Sequence, residues 1–172
     1  MITNAKYNLL VRQYKNVIYN YSFYMLKNRM DADDLTQEVL IRIWKNIDKF
    51  NILSAKSWIM KTTHHLCIDF IRKNKNEIKK NPLSLEDISN FVKNKSDENP
   101  SDIVERKMTD KLIKDSIKKL PEKLKSVFVL YELQQLKYRE ISKILDIPIN
   151  SVKVYLLRAR KNLQSDLENL DL

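Results

Sequence analysis

The chain has 172 residues, enough for one domain or two small ones, and its 43% hydrophobic content argues against wholesale disorder. A net charge of +10 favours a polyanionic partner, nucleic acid first and an acidic membrane second. Glycine is absent, which excludes phosphate-cradling loops, and the single Cys67 excludes an internal disulfide.

The long segments carry helical periodicity. From Tyr7 to Lys27, Leu10, Tyr14, Val17, Ile18, Tyr21 and Met25 form one apolar stripe. A second helix is expected to begin at Asp31 as N-cap, with Asp34 three residues on and acids suiting the helix dipole. Leu35, Val39, Ile43 and Ile47 then repeat at i+4, widened by Leu40 and Trp44. After a loop, Ser54 can cap a third helix whose inner face is expected at Ile59, Thr63, Leu66 and Phe70. Its outer face would carry Lys61, His65, Ile68 and Arg72, extended by Lys73 and Lys75. These elements predict a compact three-helix domain over residues 1–75.

Between 76 and 100 the periodicity fails. Asn, Ser, Lys, Asp and Glu dominate, with Pro82 and Pro100 as breakers, and a flexible linker is expected. A second helical domain spans 101–172. A helix runs to Leu120, where Pro121 resets the chain. Another covers 122–134 with Leu124, Val127, Phe128 and Tyr131 inward. The fold class is all-α, two small helical domains on one tether.

The closing stretch from Tyr138 to Leu163 reads as a helix-turn-helix, the unit that lays its second helix in the major groove. Ile141, Ser142, Leu145, Ile147, Val152 and Leu156 fall where two crossing helices touch. Pro148 stops the first helix, and Asn150 and Ser151 can cap the second. Ser151, Lys153, Tyr155, Arg158 and Lys161 would then project outward, with Lys137 and Arg139 clamping the backbone.

Charge is uneven along the chain. Seven Lys/Arg against two acids lie between Lys137 and Lys161, and again between Lys56 and Lys80, whereas Asp31 to Glu38 is acidic. Two nucleic-acid contacts and one protein contact are expected. Phe50, Lys56 and Trp58 at a loop–helix junction suit stacking on single strands, although Trp58 fits a core at least as well. His64 and His65 point about 100° apart on a helix, a poor pair for zinc, and no cofactor or metal is expected. No catalytic cluster is evident, so no enzymatic activity is expected. No apolar run reaches the length of a membrane span and no signal peptide opens the chain, so a cytoplasmic location is expected.

Asp31-Ala-Asp-Asp-Leu-Thr-Gln-Glu-Val-Leu-Ile-Arg-Ile-Trp-Lys45 resembles region 2.2 of the extracytoplasmic-function sigma factors of the sigma-70 family. Ser57 to Arg72 resembles regions 2.3 and 2.4, and Leu120 to Leu133 with the helix-turn-helix resembles region 4. The resemblance implies a protein that binds core RNA polymerase and directs it to promoter DNA. Asp34, Gln37, Glu38 and Arg42 would grip the polymerase. Phe50, Lys56, Lys61, His65 and Arg72 would open and hold the minus-ten element. The second helix of the helix-turn-helix would read the minus-thirty-five element. The linker would thread near the RNA exit path. Asp146 stands where the family often has Gly, and His65 where many members carry Asn. No further C-terminal domain is expected, so regulation would come from a separate anti-sigma protein or from expression level. The rival reading is a helix-turn-helix regulator that acts independently of polymerase.

Overall fold

A computed structural model describes residues 2–49, 51–80 and 102–170 of the chain. Among the described residues the architecture is helical throughout. Helices α1 (Ile2–Leu26), α2 (Arg29–Lys45) and α3 (Ala55–Lys80) form the N-terminal lobe. Helices α4 (Asp102–Lys119), α5 (Glu122–Phe128), α6 (Tyr138–Leu145) and α7 (Ile149–Glu168) form the C-terminal lobe. The expected linker, with Pro82 and Pro100, lies outside the described residues apart from its first five positions, which continue α3 to Lys80.

The stripe of α1 is borne out: Leu10, Tyr14, Ile18, Tyr21 and Met25 are buried, with Val17 packed beside them. Against it α2 buries Leu35, Val39 and Ile43, and Ile47 follows in a short 3-10 turn. Trp44 stays half exposed and meets the Tyr7 ring edge-on at 5.1 Å between centroids. The Lys6 ammonium donates to the Ile47 carbonyl at 2.7 Å, tying the start of α1 to the far end of α2. The buried hydroxyls of Thr36 and Thr63 donate to the carbonyls four residues back, which removes the cost of burying them unpaired.

Three expectations about helix ends are corrected. The N-cap of α2 is Asn28, whose Oδ1 accepts from Met30 N–H at 2.8 Å and Asp31 N–H at 3.2 Å. Asp31 therefore sits inside the first turn, where its carboxyl still complements the helix dipole. Burial, and next to it the Asp34 charge, raise its pKa. Ser54 precedes α3, but its hydroxyl turns back to donate to the Asn51 carbonyl. Helix α7 starts at Ile149 directly after Pro148, whose φ of −59° and ψ of 147° stand in the cap position; Asn150 and Ser151 lie in the first turn and do not cap.

The inner face of α3 is rotated from the expected one. Ile59, Met60, Thr63 and Cys67 are buried, while Leu66 and Phe70 are only partly covered. Ile68, expected outside, packs against the core. Helix α3 touches α1, α2 and α6, so its covered arc is wider than a helix resting on one neighbour would need. Cys67 lies 3.9 Å from the Ser22 hydroxyl, and burial pushes its thiol up to about 12, leaving it inert as a nucleophile.

The segment after Pro121 departs most from a one-sided helix. It widens after Phe128 into a π turn over Val129–Leu133, with Gln134 N–H bonded to the Val129 carbonyl at 3.1 Å. Lys125, Ser126, Val127, Val129 and Leu130 are all buried because α7 packs on one side and α1 on the other. With no glycine available, the left-handed positions fall to Lys27, Gln135 and Asp146, at φ of 62°, 55° and 55°. Each follows or nearly follows a helix end, where such a residue lets the chain reverse.

Ile43 sits at the centre of the N-terminal core with no exposed surface. Ile43→Ala is expected to lower the unfolding free energy by about 2–5 kcal/mol in urea titrations, whereas Asn28→Ala should lower it by about 1 kcal/mol. Equal small losses for both would show that α2 is not pinned through Ile43.

Candidate nucleic-acid interface

The helix-turn-helix is built by α6 and α7. Ile141 and Ile144 from α6 meet Val152, Leu156, Ala159 and Leu163 from α7, all buried. Ile144 completes a core for which Ile141, Ser142 and Leu145 are expected from the first helix; Ser142 and Leu145 are only partly covered. The turn is held by Asp146 in left-handed geometry, by Ile147 N–H donating to the Ser142 carbonyl at 3.2 Å, and by the Ser142 hydroxyl donating to the Ile147 carbonyl. Asp tolerates this backbone better than most residues, so the turn closes without glycine.

Several contacts fix α7 from outside. Tyr131 stacks on Tyr138 at 5.0 Å, Arg160 lies 5.6 Å from the Tyr131 centroid, and its Nε donates to Glu132 at 2.9 Å. Lys153 stands 5.9 Å from the Tyr138 ring. At the start of α6, Lys137 N–H donates to the Glu140 carboxylate at 2.8 Å.

Of the residues proposed from sequence, Lys137, Arg139, Lys153, Arg158 and Lys161 are exposed. Ser151 is half covered, and Tyr155 packs partly against the core, which makes it support for α7 rather than a free reader. Sequence reading missed the exposed Ile149, Val154 and Leu157 on the same helix. A count of faces at 100° per residue would have found Val154 and Leu157, which lie opposite the buried stripe, while Ile149 is exposed at the helix start.

In the N-terminal lobe, Asp34, Gln37, Glu38 and Arg42 are exposed along one side of α2. Arg42 Nε donates to Glu38 at 2.8 Å across one turn. The exposed Ile41 and Trp44 add apolar surface to this helix. On α3, His65 and Arg72 are exposed and Lys61 is half exposed; Arg72 reaches Asp69 at 3.9 Å. Trp58 packs against the core, and Phe50 lies outside the described residues. In the loop before α3, Leu53 is 91% exposed and Ile52 stands beside it.

Lys56 is directed across to the other lobe. Its ammonium lies 3.6 Å from Glu140 of α6. Gln134 Nε2 also crosses, donating to the Val17 carbonyl at 3.0 Å, and Lys118 sits 4.3 Å over the Phe23 ring. A cleft of about 800 Å³ opens between the lobes, with Tyr14, Phe23, Arg29, Lys56 and Gln134 among its walls. Like charges oppose this packing: burial, then the Lys27 charge, lower the Lys125 ammonium to about 8, and Arg29 lies near Lys118.

The sigma-70 region 2 family model matches residues 10–77, and the sigma-70 region 4 model matches residues 110–163. The extracytoplasmic-function RNA polymerase sigma factor SigW of Bacillus subtilis is 33% identical, over 94% of this chain and 88% of that protein. The chain belongs to the sigma-70 family, among the extracytoplasmic-function sigma factors. RNA polymerase sigma factor SigV of the same organism is 30% identical over 99% of this sigma factor and 96% of its own length. The fold is shared with the sigma factor RpoE of Bartonella quintana, solved with the anti-sigma factor NepR. The TM-score is 0.72 at 18% identity, covering 94% and 96% of the two chains. Among the described residues of the sigma factor, no helix is long and apolar enough to cross a membrane.

His64 and Tyr21 join α3 to α1 through a 2.7 Å hydrogen bond between the phenol and Nδ1. Burial, then the neighbouring His65, lower the His64 imidazole from 6.5 to about 4. Above pH 6.5 neither the folded nor the unfolded chain holds this proton, so stability does not depend on it. As pH falls from 6.5 to 4 the unfolded chain takes up a proton that the fold refuses, and stability is lost. The full loss is expected to be roughly 3 kcal/mol at 1.36 kcal/mol per pKa unit, read as a falling urea midpoint. His64→Gln should flatten this acid dependence; an unchanged pH slope would show that His64 does not carry it.

Proposed function

We propose that this sigma factor binds core RNA polymerase through α2 and directs it to promoters with two separate nucleic-acid readers. The carrying observation is the pairing, in one chain, of a basic α3 beside the exposed face of α2 with a helix-turn-helix. A repressor or activator acting alone has no use for the first lobe.

The roles follow from position and chemistry. Asp34, Gln37, Glu38 and Arg42 supply a mixed-charge face for the polymerase. The loop through Phe50 to Lys56, with Lys61, His65 and Arg72, holds the opened minus-ten strand by charge and stacking. Helix α7 reads the minus-thirty-five duplex through Ser151, Lys153, Arg158 and Lys161, supported by Tyr155, while Lys137 and Arg139 hold phosphates. The protein acts by binding and not by catalysis, in the cytoplasm where polymerase works. A separate anti-sigma protein would regulate it, as a chain of this fold is found with NepR.

Distance then requires the lobes to part. The element names set about 25 base pairs between them, roughly 85 Å at 3.4 Å per pair. Lobes joined by a 3.6 Å ion pair do not span that. The 21 residues between Lys80 and Asp102 can reach at most roughly 70–75 Å, which with the lengths of the helices is sufficient.

The purified chain is expected to co-elute with core polymerase, to support promoter-specific transcription in vitro, and to bind promoter DNA only weakly alone. Arg158→Ala should cost about 1–3 kcal/mol in promoter binding by holoenzyme, unevenly across promoter sequences. An equal loss on all sequences would reduce Arg158 to a phosphate contact. Failure to bind core, with tight binding to a palindromic duplex, would overturn the sigma assignment in favour of an independent regulator.

A further inference from the structure

The side of α7 that faces away from its lobe is apolar at its centre. At 100° per residue, the buried Val152, Leu156, Ala159 and Leu163 leave Asn150, Val154, Leu157, Arg158 and Lys161 on the opposite side. Val154 is 44% exposed, Leu157 55%, and Ile149 at the helix start 37%. Leaving Val154 and Leu157 in water forgoes the free energy of burying them, which a groove that covers both would recover.

The surroundings say by what. No acidic residue occurs from Ile149 to Gln164, while Lys153, Arg158 and Lys161 rim the stripe. An apolar centre inside a cationic rim complements a groove with phosphate walls and methyl groups on its floor. In duplex DNA that groove is the major groove, and the methyl is the C5-methyl of thymine. Val154 and Leu157 stand one helical turn apart, with Cβ atoms about 5–6 Å from each other. That separation matches contacts to adjacent or next-adjacent base pairs at about 3.4 Å per step. Asn150, one turn earlier on the same side, carries an amide that can pair with both N6 and N7 of adenine.

We propose that Val154 and Leu157 are specificity-determining residues that read thymine methyl groups in the upstream promoter duplex, with Asn150 selecting adenine beside them. The proposal rests on the reading of α7 as the duplex-reading helix and adds the base-pair class that it selects. A charged residue usually dominates affinity, but it is the apolar pair that makes this helix demand thymine.

The test removes one methyl at a time from the DNA. Promoter duplexes carry deoxyuridine in place of each thymine in the upstream segment protected by holoenzyme, and holoenzyme affinity is measured on each. At one or two positions deoxyuridine should weaken wild-type binding about fourfold, the weight of one buried methyl. The Val154→Ala, Leu157→Ala double variant should bind core normally and show no deoxyuridine effect. No deoxyuridine effect on the wild type would overturn the proposal, as would an effect that persists in the double variant. Loss of core binding by the double variant, with deoxyuridine sensitivity unchanged, would make this face a polymerase contact and overturn it equally. If holoenzyme protects no upstream duplex at all, the assignment of α7 as reader fails, and the proposal with it.

Discussion

The contact between α3 and α6 is the constraint on which the rest of this molecule turns. It places the helix expected to hold the minus-ten strand against the first helix of the helix-turn-helix. Its polar tie is Lys56 to Glu140, with both side chains 41% exposed, and such a surface pair contributes about 0–1 kcal/mol. The Gln134 hydrogen bond adds about 0.5–1.5 kcal/mol and the Lys118–Phe23 contact about 0.5–1 kcal/mol. Against these stand Lys125 beside Lys27 and Lys118 near Arg29. These polar ties are weak, but the apolar packing of α1 on the segment holding the buried Val127, Val129 and Leu130 adds to them. The junction therefore opens only for a partner that binds the separated lobes more tightly than the joined ones. In the proposed function, core polymerase and promoter together act as such a partner.

Within each lobe the balance is different. The N-terminal helices share a core in which Ile18, Tyr21, Val39, Ile43, Ile59 and Met60 have essentially no exposed surface. The C-terminal lobe closes around the π turn; the Tyr131–Tyr138 stack joins that turn to α6, and the Arg160–Glu132 pair ties α7 to it from outside that core. Helix α7 is thus packed in place in the free chain, so as the proposed reader it would have little ordering entropy to lose on binding.

Much of this was legible in the sequence because it follows local periodicity. The stripe from Leu10 to Met25, the i+4 run from Leu35 to Ile47 and the helix-turn-helix core all repeat within one helix and need no knowledge of neighbours. What was not legible depends on neighbours. Lys125 reads as a surface residue until α1 covers the second side of its helix. Met60 and Cys67 displace Leu66 and Phe70 from the inner face of α3 because three helices, and not one, press on it. Gln134 and Val17 are 117 residues apart, and nothing local announces their bond. Asn28 was overlooked as the cap of α2 because Asp31, three residues later, has the same capping chemistry. The exposure of Val154 and Leu157 follows from the helix period but not from the charge pattern, because basic residues stand beside them on α7.

In the proposed function one chain keeps its two readers together when free and separates them on the promoter. Pulsed dipolar spectroscopy between spin labels at Arg12→Cys and Ser165→Cys tests it most directly, since both sites are exposed and the native Cys67 is buried. One short distance is expected in the free chain, lengthening by tens of ångströms in holoenzyme bound to promoter DNA. A distance that stays the same in all states would contradict it.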